Sequence, residues 1–142
     1  MNKLLVVTGG TKGIGRAIID RFAAAGFDVA TCSRNQSDLK QLKNDLEKKN
    51  VTAFVKQADM SVREQTLDFA QFVSGLNRPV DVLINNAGYF ISGSILNEKE
   101  GALESMIASN LYSAYYTTRG MASNMVKNGG GHIFNICSIA SI

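Results

Sequence analysis

The sequence predicts an α/β protein built as a doubly wound parallel sheet, and three observations carry that expectation. Short runs rich in Val, Ile and Leu recur at 4–7, 27–32, 51–55, 80–84 and 132–137. They are nearly continuous rather than alternating, the pattern of strands covered on both faces. The segments between them repeat apolar residues at helical spacing, and a glycine-rich octet, Thr8 to Gly15, joins the first run to the first helical segment. Alternation of strand and helix from end to end selects parallel pairing with crossover connections.

The first strand, Leu4 to Val7, feeds the glycine octet and a helix expected from Gly13 to Ala25. Ile14, Ala17, Ile18 and Phe22 fall on one face of that helix, and Gly26 stops it. The second helix starts near Asn35 and Ser37, both capping residue types, and buries Leu39, Leu42 and Leu46 beneath a charged outer face. After the third strand, Ser61-Val62-Arg63-Glu64 reads as a capping box in which hydroxyl and carboxylate each meet a free amide; its helix ends before Pro79. A fourth helical region covers roughly 98–127 and kinks near Asn110, with Leu111, Ala114, Tyr115, Thr118, Ala122 and Met125 on one stripe. The fifth strand, 132–137, is the last of the five that residues 1–142 provide, and all of them belong to one domain large enough to bury a core.

Composition narrows the ligand. Hydrophobic residues make up 45% and charged residues 19%, and the net charge of +3 is small and scattered. Neither nucleic acid nor a membrane surface is expected as a partner; a small molecule is. Leu4 to Val7 is too short for a secretory core and no run spans a bilayer, so the expected location is cytoplasmic. Cys32 and Cys137 have no metal-ligand spacing and read as free, buried thiols. Two strands lie between them, at ~5 Å per step, too far to bridge. His132 reads as a structural residue of a buried strand, and no metal site is expected.

Glycines between a first strand and a first helix remove the Cβ atoms that would keep a phosphate from backbone amides, and the helix N-terminus adds positive charge. A Walker A loop is excluded, because Arg16 and Ala17 stand where Lys and Ser or Thr are needed. The GxGxxG fingerprint does not fit either. The octet TGGTKGIG instead resembles the cofactor loop of the short-chain dehydrogenase/reductase family, through Thr8, Gly9, Gly13, Ile14 and Gly15. That resemblance implies a Rossmann-like fold whose loop, with Thr11 and Lys12 inside it, holds a nicotinamide dinucleotide.

The tip of the second strand distinguishes the two forms of that cofactor, since an acid there binds a ribose hydroxyl and a base accommodates a 2′-phosphate. This chain reads Thr31-Cys32-Ser33-Arg34, without an acid, and Asp28 sits at the opposite edge of the sheet. Arg34 can pair with a phosphate, Ser33 can donate to it, and Lys12 adds a second cation, so NADP(H) is expected over NAD(H). The resemblance extends to Asp59 and Met60, which take the adenine position. It also covers the tetrapeptide Asn85-Asn86-Ala87-Gly88, of which Asn86, Ala87 and Gly88 approach the cofactor.

Asn110 matches the family's helix asparagine that helps hold a water of the proton relay, and Ser138 the serine that donates to the substrate carbonyl. Tyr89, Phe90 and Ile139 to Ser141 are expected along one wall of the substrate pocket. The family's tyrosine followed four residues later by lysine does not occur here; only Tyr115 has a cation at that spacing, Arg119, and packing is its expected role. A strand at 132–137 left as the sheet edge would expose apolar residues, so the chain is expected to be the N-terminal part of a longer polypeptide. The expected function is that of an NADP(H)-dependent oxidoreductase acting on a carbonyl or secondary alcohol. The alternative is a catalytically silent dinucleotide-binding protein or an inactive fragment lacking the tyrosine–lysine pair. The stripe on the long helix resembles the family's subunit contact, implying a homodimer or homotetramer.

Overall fold

The structure, a computed structural model, describes residues 1–139. Its elements run β1 (Leu4–Thr8), α1 (Gly13–Ala24), β2 (Asp28–Ser33), α2 (Gln36–Glu47), β3 (Ala53–Gln57), α3 (Arg63–Ser74), β4 (Val82–Asn85), α4 (Ala102–Ile107), a π-helical turn (Ala108–Tyr112), α5 (Ser113–Lys127) and β5 (His132–Asn135). All pairings are parallel and the strand order is β3-β2-β1-β4-β5. The expected doubly wound sheet is present.

Strand pleating sorts β1 into two cores. Leu4 and Val6 join Ala30, Phe69, Leu83, Met121 and Met125 on one face, under α3 and α5. Leu5 and Val7 join Val29, Ile84, Ile19, Leu42 and Leu46 on the other, under α1 and α2. Successive side chains of a strand point to opposite faces, so an unbroken apolar run is what a sheet covered on both sides requires. The run LLVV meets that requirement residue by residue.

Four local expectations differ from the structure. The buried face of α1 carries Gly15, Ile19 and Ala23, whereas Ile14 and Ala17 are exposed. The capping box at Ser61 does not form: α3 starts at Arg63, and the Ser61 hydroxyl donates to Asp59 Oδ1 at 2.7 Å. The long helical region is interrupted where a kink was expected, by the π-helical turn around Asn110, but α5 buries Ser113, Thr117, Met121 and Met125 rather than the anticipated stripe, of which Met125 alone is fully buried. Close approach explains that choice of face: a Cβ on Gly120 would lie 2.6 Å from that of Ala70 on α3. Small side chains win over greasy ones where helices pack tightly. Finally, β5 is exposed along its length, so His132 and Cys137 are exposed too, while Cys32 is buried as anticipated. Both thiols are free.

At the N-terminal edge of the sheet Asp28 gathers donors from three segments. It accepts from Arg78 Nη1 at 2.8 Å, Asn2 Nδ2 at 3.2 Å and the Thr52 amide at 3.1 Å, and Arg78 Nη2 also donates to Asn2 O at 2.6 Å. The guanidinium lies over the ring of Phe54 as well. Burial pushes the Asp28 carboxyl upward, but these donors and the adjacent positive charge outweigh it and hold the carboxyl below its ordinary value. Both side chains are nearly buried. Asp28→Asn strands the Arg78 charge and is expected to cost about 3 kcal/mol in chemical denaturation. Because the folded carboxyl is the stronger acid, the wild-type advantage is complete above about pH 4 and shrinks as pH falls below it. Melting curves of the two proteins at stepped pH check both statements.

Candidate functional site

The strand order reverses between β1 and β4, and a crevice opens beyond the C-terminal ends of strands at such a point. The sequence stitches the two strand ends together there. Thr8 Oγ1 accepts the backbone N–H of Asn86 at 3.0 Å and of Ala87 at 2.9 Å. Asn86 Nδ2 in turn donates to Thr8 O and Gly9 O, each at 3.1 Å. Asn85 ties β4 outward, donating to Asn135 Oδ1 at 2.9 Å and to Thr118 Oγ1 at 3.0 Å.

Above this stitch the glycine octet folds back on β2, where Cys32 O accepts from Gly9 N at 3.1 Å and Gly10 N at 3.4 Å. Gly9 needs a φ of +70°, which favours glycine. Gly15 is buried under the loop, and a Cβ there would overlap Gly9 O and Asn86 Nδ2. Helix α1 then starts at Gly13 with no side-chain cap and no acid in its first turn. Its first amides therefore lack the partner that α2 receives from Asn35 Oδ1, 2.9 Å from Ser37 N and 3.2 Å from Asp38 N. Of the two candidate caps for α2, Asn35 serves. An uncapped N-terminus beside side-chain-free backbone suits an anion.

A cleft of about 480 Å³ lies in front of this loop. Every residue assigned to the cofactor from sequence lines it except Gly13 and Gly15, which shape the loop from beneath and at the helix start. Ser33 Oγ accepts from Thr11 Oγ1 at 3.1 Å, and Gln57 Nε2 pins the Arg34 carbonyl at 2.9 Å while the Arg34 side chain is exposed. Asp59 orders its own turn, accepting from Ser61 N at 2.9 Å, and Met60 is buried at the cleft wall. Sequence reasoning missed Ala58, Ser109 and Asp38 on this wall. Asp38 had a legible signal, as an acid one turn past the Arg34 tip. Cys32 reaches the cleft floor, but burial pushes its thiol up to about 12, against a smaller opposing effect from the Gly9 amide, so it is a poor nucleophile.

A second, larger cleft of about 1150 Å³ adjoins the first through Asn86, Ala87, Gly88, Tyr89 and Ile136. Asn110, Tyr115 and Ser138 line it, with Tyr89 and Phe90 as anticipated. Asn110 sits within the π-helical turn and clamps Tyr89: its Nδ2 donates to Tyr89 O and its Oδ1 accepts from Tyr89 N, both at 2.8 Å. The Tyr89 hydroxyl bonds Ser105 Oγ. Tyr115 is half exposed and accepts from Arg119 Nη1 at 2.9 Å, so it faces the cleft rather than the core. Ser138 follows β5 at the cleft edge. Ile139 is exposed, and the other expected wall residues, Ala140 and Ser141, lie outside the described residues.

Comparison with known proteins decides the family. A family profile described as short chain dehydrogenase matches residues 3–142. The chain belongs to the short-chain dehydrogenase family. A tropinone reductase homologue of Arabidopsis thaliana is 35% identical over 142 residues, covering 99% of this chain and 53% of the relative. Among solved structures, a metagenomic short-chain oxidoreductase in complex with NADP superposes with a TM-score of 0.89 at 30% identity, over 96% of this chain and 62% of that one. The L-sorbose reductase of Gluconobacter frateurii, complexed with NADPH and L-sorbose, gives a TM-score of 0.95 at 27% identity, over 99% and 54% of the two chains. This chain spans about half the length of the curated relatives it matches. No helix among the described residues is long and apolar enough to cross a membrane, and no cluster of side chains there has the makings of a metal site.

The stitch between strand ends has a measurable worth. Thr8→Val keeps the shape of the side chain but leaves two amides without their acceptor, and is expected to cost roughly 2–4 kcal/mol in urea denaturation. Thr8→Ser, which keeps the oxygen, is expected to recover at least half of that loss.

Proposed function

We propose that this chain supplies the cofactor-binding half of an NADP(H)-dependent oxidoreductase that reduces a carbonyl or oxidises a secondary alcohol. The observation that carries the reading is the 480 Å³ cleft itself. It combines an uncapped helix N-terminus, a glycine loop, and a β2 tip that offers Ser33 and Arg34 with no acid at the tip itself. The pyrophosphate would lie against the amides at the start of α1, the adenine against Asp59 and Met60, and the 2′-phosphate against Arg34 and Ser33, with Lys12 as a second cation on the same cleft wall. Asn86, Ala87 and Gly88 would admit the ribose near the junction of the two clefts. NADP and NADPH in related structures support the same cofactor here.

When bound, the nicotinamide supplies or accepts hydride. Ser138 Oγ is proposed to donate to the substrate oxygen and so orient it. Asn110 holds the Tyr89 backbone and thereby the floor between the clefts, and a water of the proton relay is proposed to sit beside it. Tyr115 is held at the wall of the larger cleft by Arg119, whose Nη1 donates to its hydroxyl oxygen. The exposed Leu111 and Tyr112 favour self-association through the long helix as a homodimer or homotetramer, which sedimentation would detect.

Arg34→Ala is expected to weaken NADPH binding about 10- to 100-fold, the worth of a charge-assisted bidentate contact, while NADH binding changes less than about threefold. Calorimetric titration of both cofactors reads this directly, and equal losses would defeat the NADP assignment. In the whole protein, NADPH consumption against a panel of ketones and 3-oxoacyl thioesters is expected, with Ser138→Ala lowering kcat at unchanged cofactor affinity. Tight dinucleotide binding without turnover on any of them would instead mark a binding protein.

A further inference from the structure

The cleft that would take the 2′-phosphate carries a carboxylate as well as its cations. Asp38 lines it beside Ser33, Arg34 and Lys12, and its Oδ2 lies 2.8 Å from Lys12 Nζ. The Lys12 side chain is otherwise largely in solvent, whereas that of Asp38 is about a quarter exposed. Nothing in the fold demands Asp38 as a cap, since Asn35 already accepts from both Ser37 N and Asp38 N. Resting on the NADP(H) reading above, we propose that Asp38 is a specificity-determining residue that limits the preference for the phosphorylated cofactor by holding Lys12 away from the 2′-phosphate.

Three effects act in the same direction. The carboxylate competes with the phosphate for the Lys12 ammonium. It repels a doubly charged group arriving in the same cleft. As an acid in the first turn of α2, it also cancels the positive end of that helix, which otherwise adds to the field at Arg34. A dinucleotide with a free ribose 2′-hydroxyl meets none of these costs, because a hydroxyl donates to a carboxylate rather than opposing it. Asp38 therefore keeps the site from closing on one cofactor alone.

The test is titration of NADPH and NADH into wild type, Asp38→Asn, Lys12→Met and the double variant, with melting temperature as the check on folding. Asp38→Asn is expected to tighten NADPH roughly three- to fivefold, as for one partly exposed charge, without tightening NADH. Lys12→Met is expected to cost little alone and clearly more in the Asp38→Asn background, where the ammonium has been released. Unchanged or weaker NADPH binding by Asp38→Asn overturns the inference, as does equal tightening of both cofactors. The Arg34→Ala comparison separates the two readings: if it penalises NADPH selectively and Asp38→Asn gives either overturning result, the role of Asp38 alone falls. If Arg34→Ala weakens both cofactors equally, the 2′-phosphate reading falls first.

Discussion

The threonine hydroxyl at the end of β1 is the point on which the rest of the site depends. Thr8 Oγ1 receives two amides from the turn after β4, and Asn86 returns two hydrogen bonds to the backbone of β1 and the glycine loop. These contacts join segments almost eighty positions apart in sequence, across the place where strand order reverses. Leaving a buried amide without an acceptor costs about 1–3 kcal/mol, so the geometry has little freedom to drift. With the two strand ends fixed, the mouth of the cleft is fixed, and every other feature, from the uncapped α1 to the Arg34 tip, is positioned relative to it.

The sheet was legible because burial on both faces writes unbroken apolar runs at β1, β2 and β4, and the apolar runs of the less covered β3 and β5 completed the parallel pattern. The cleft was legible through residues whose chemistry has few alternatives at that place: the glycines of the octet, Asn86 and the acid-free tip at Ser33 and Arg34. What escaped reading follows from competition that hydropathy does not measure. Gly15 occupies the buried face of α1 because only a residue without a side chain fits against Gly9 and Asn86, so the apolar Ile14 turns outward. Ser113 and Thr117 took the core side of α5 in place of Ala114 and Tyr115 because α3 approaches closely at Ala70 and Gly120. Ser61 donates its hydroxyl to Asp59 Oδ1 in the turn before α3, and the helix starts only at Arg63 without a side-chain cap.

The π-helical turn shows how local irregularity serves the larger cleft. One extra residue per turn at Ala108–Tyr112 presents Asn110 to the chain after β4, where its amide pairs with both backbone groups of Tyr89. Such bulges recur at functional sites because they re-aim a side chain without ending the helix. Here the result is a single structural partition: Tyr89 separates the cleft of the glycine loop from the one lined by Ser138.

The cluster around Asp28 and Arg78 lies at the far edge of the same sheet, a whole strand length from Gly9 and Arg34. Mutational effects at sites that share no partner combine almost additively. An engineer could rewrite the charges that recognise the nucleotide and treat the anchor at the other edge as an independent reserve, strengthening it first to absorb whatever the new recognition surface loses.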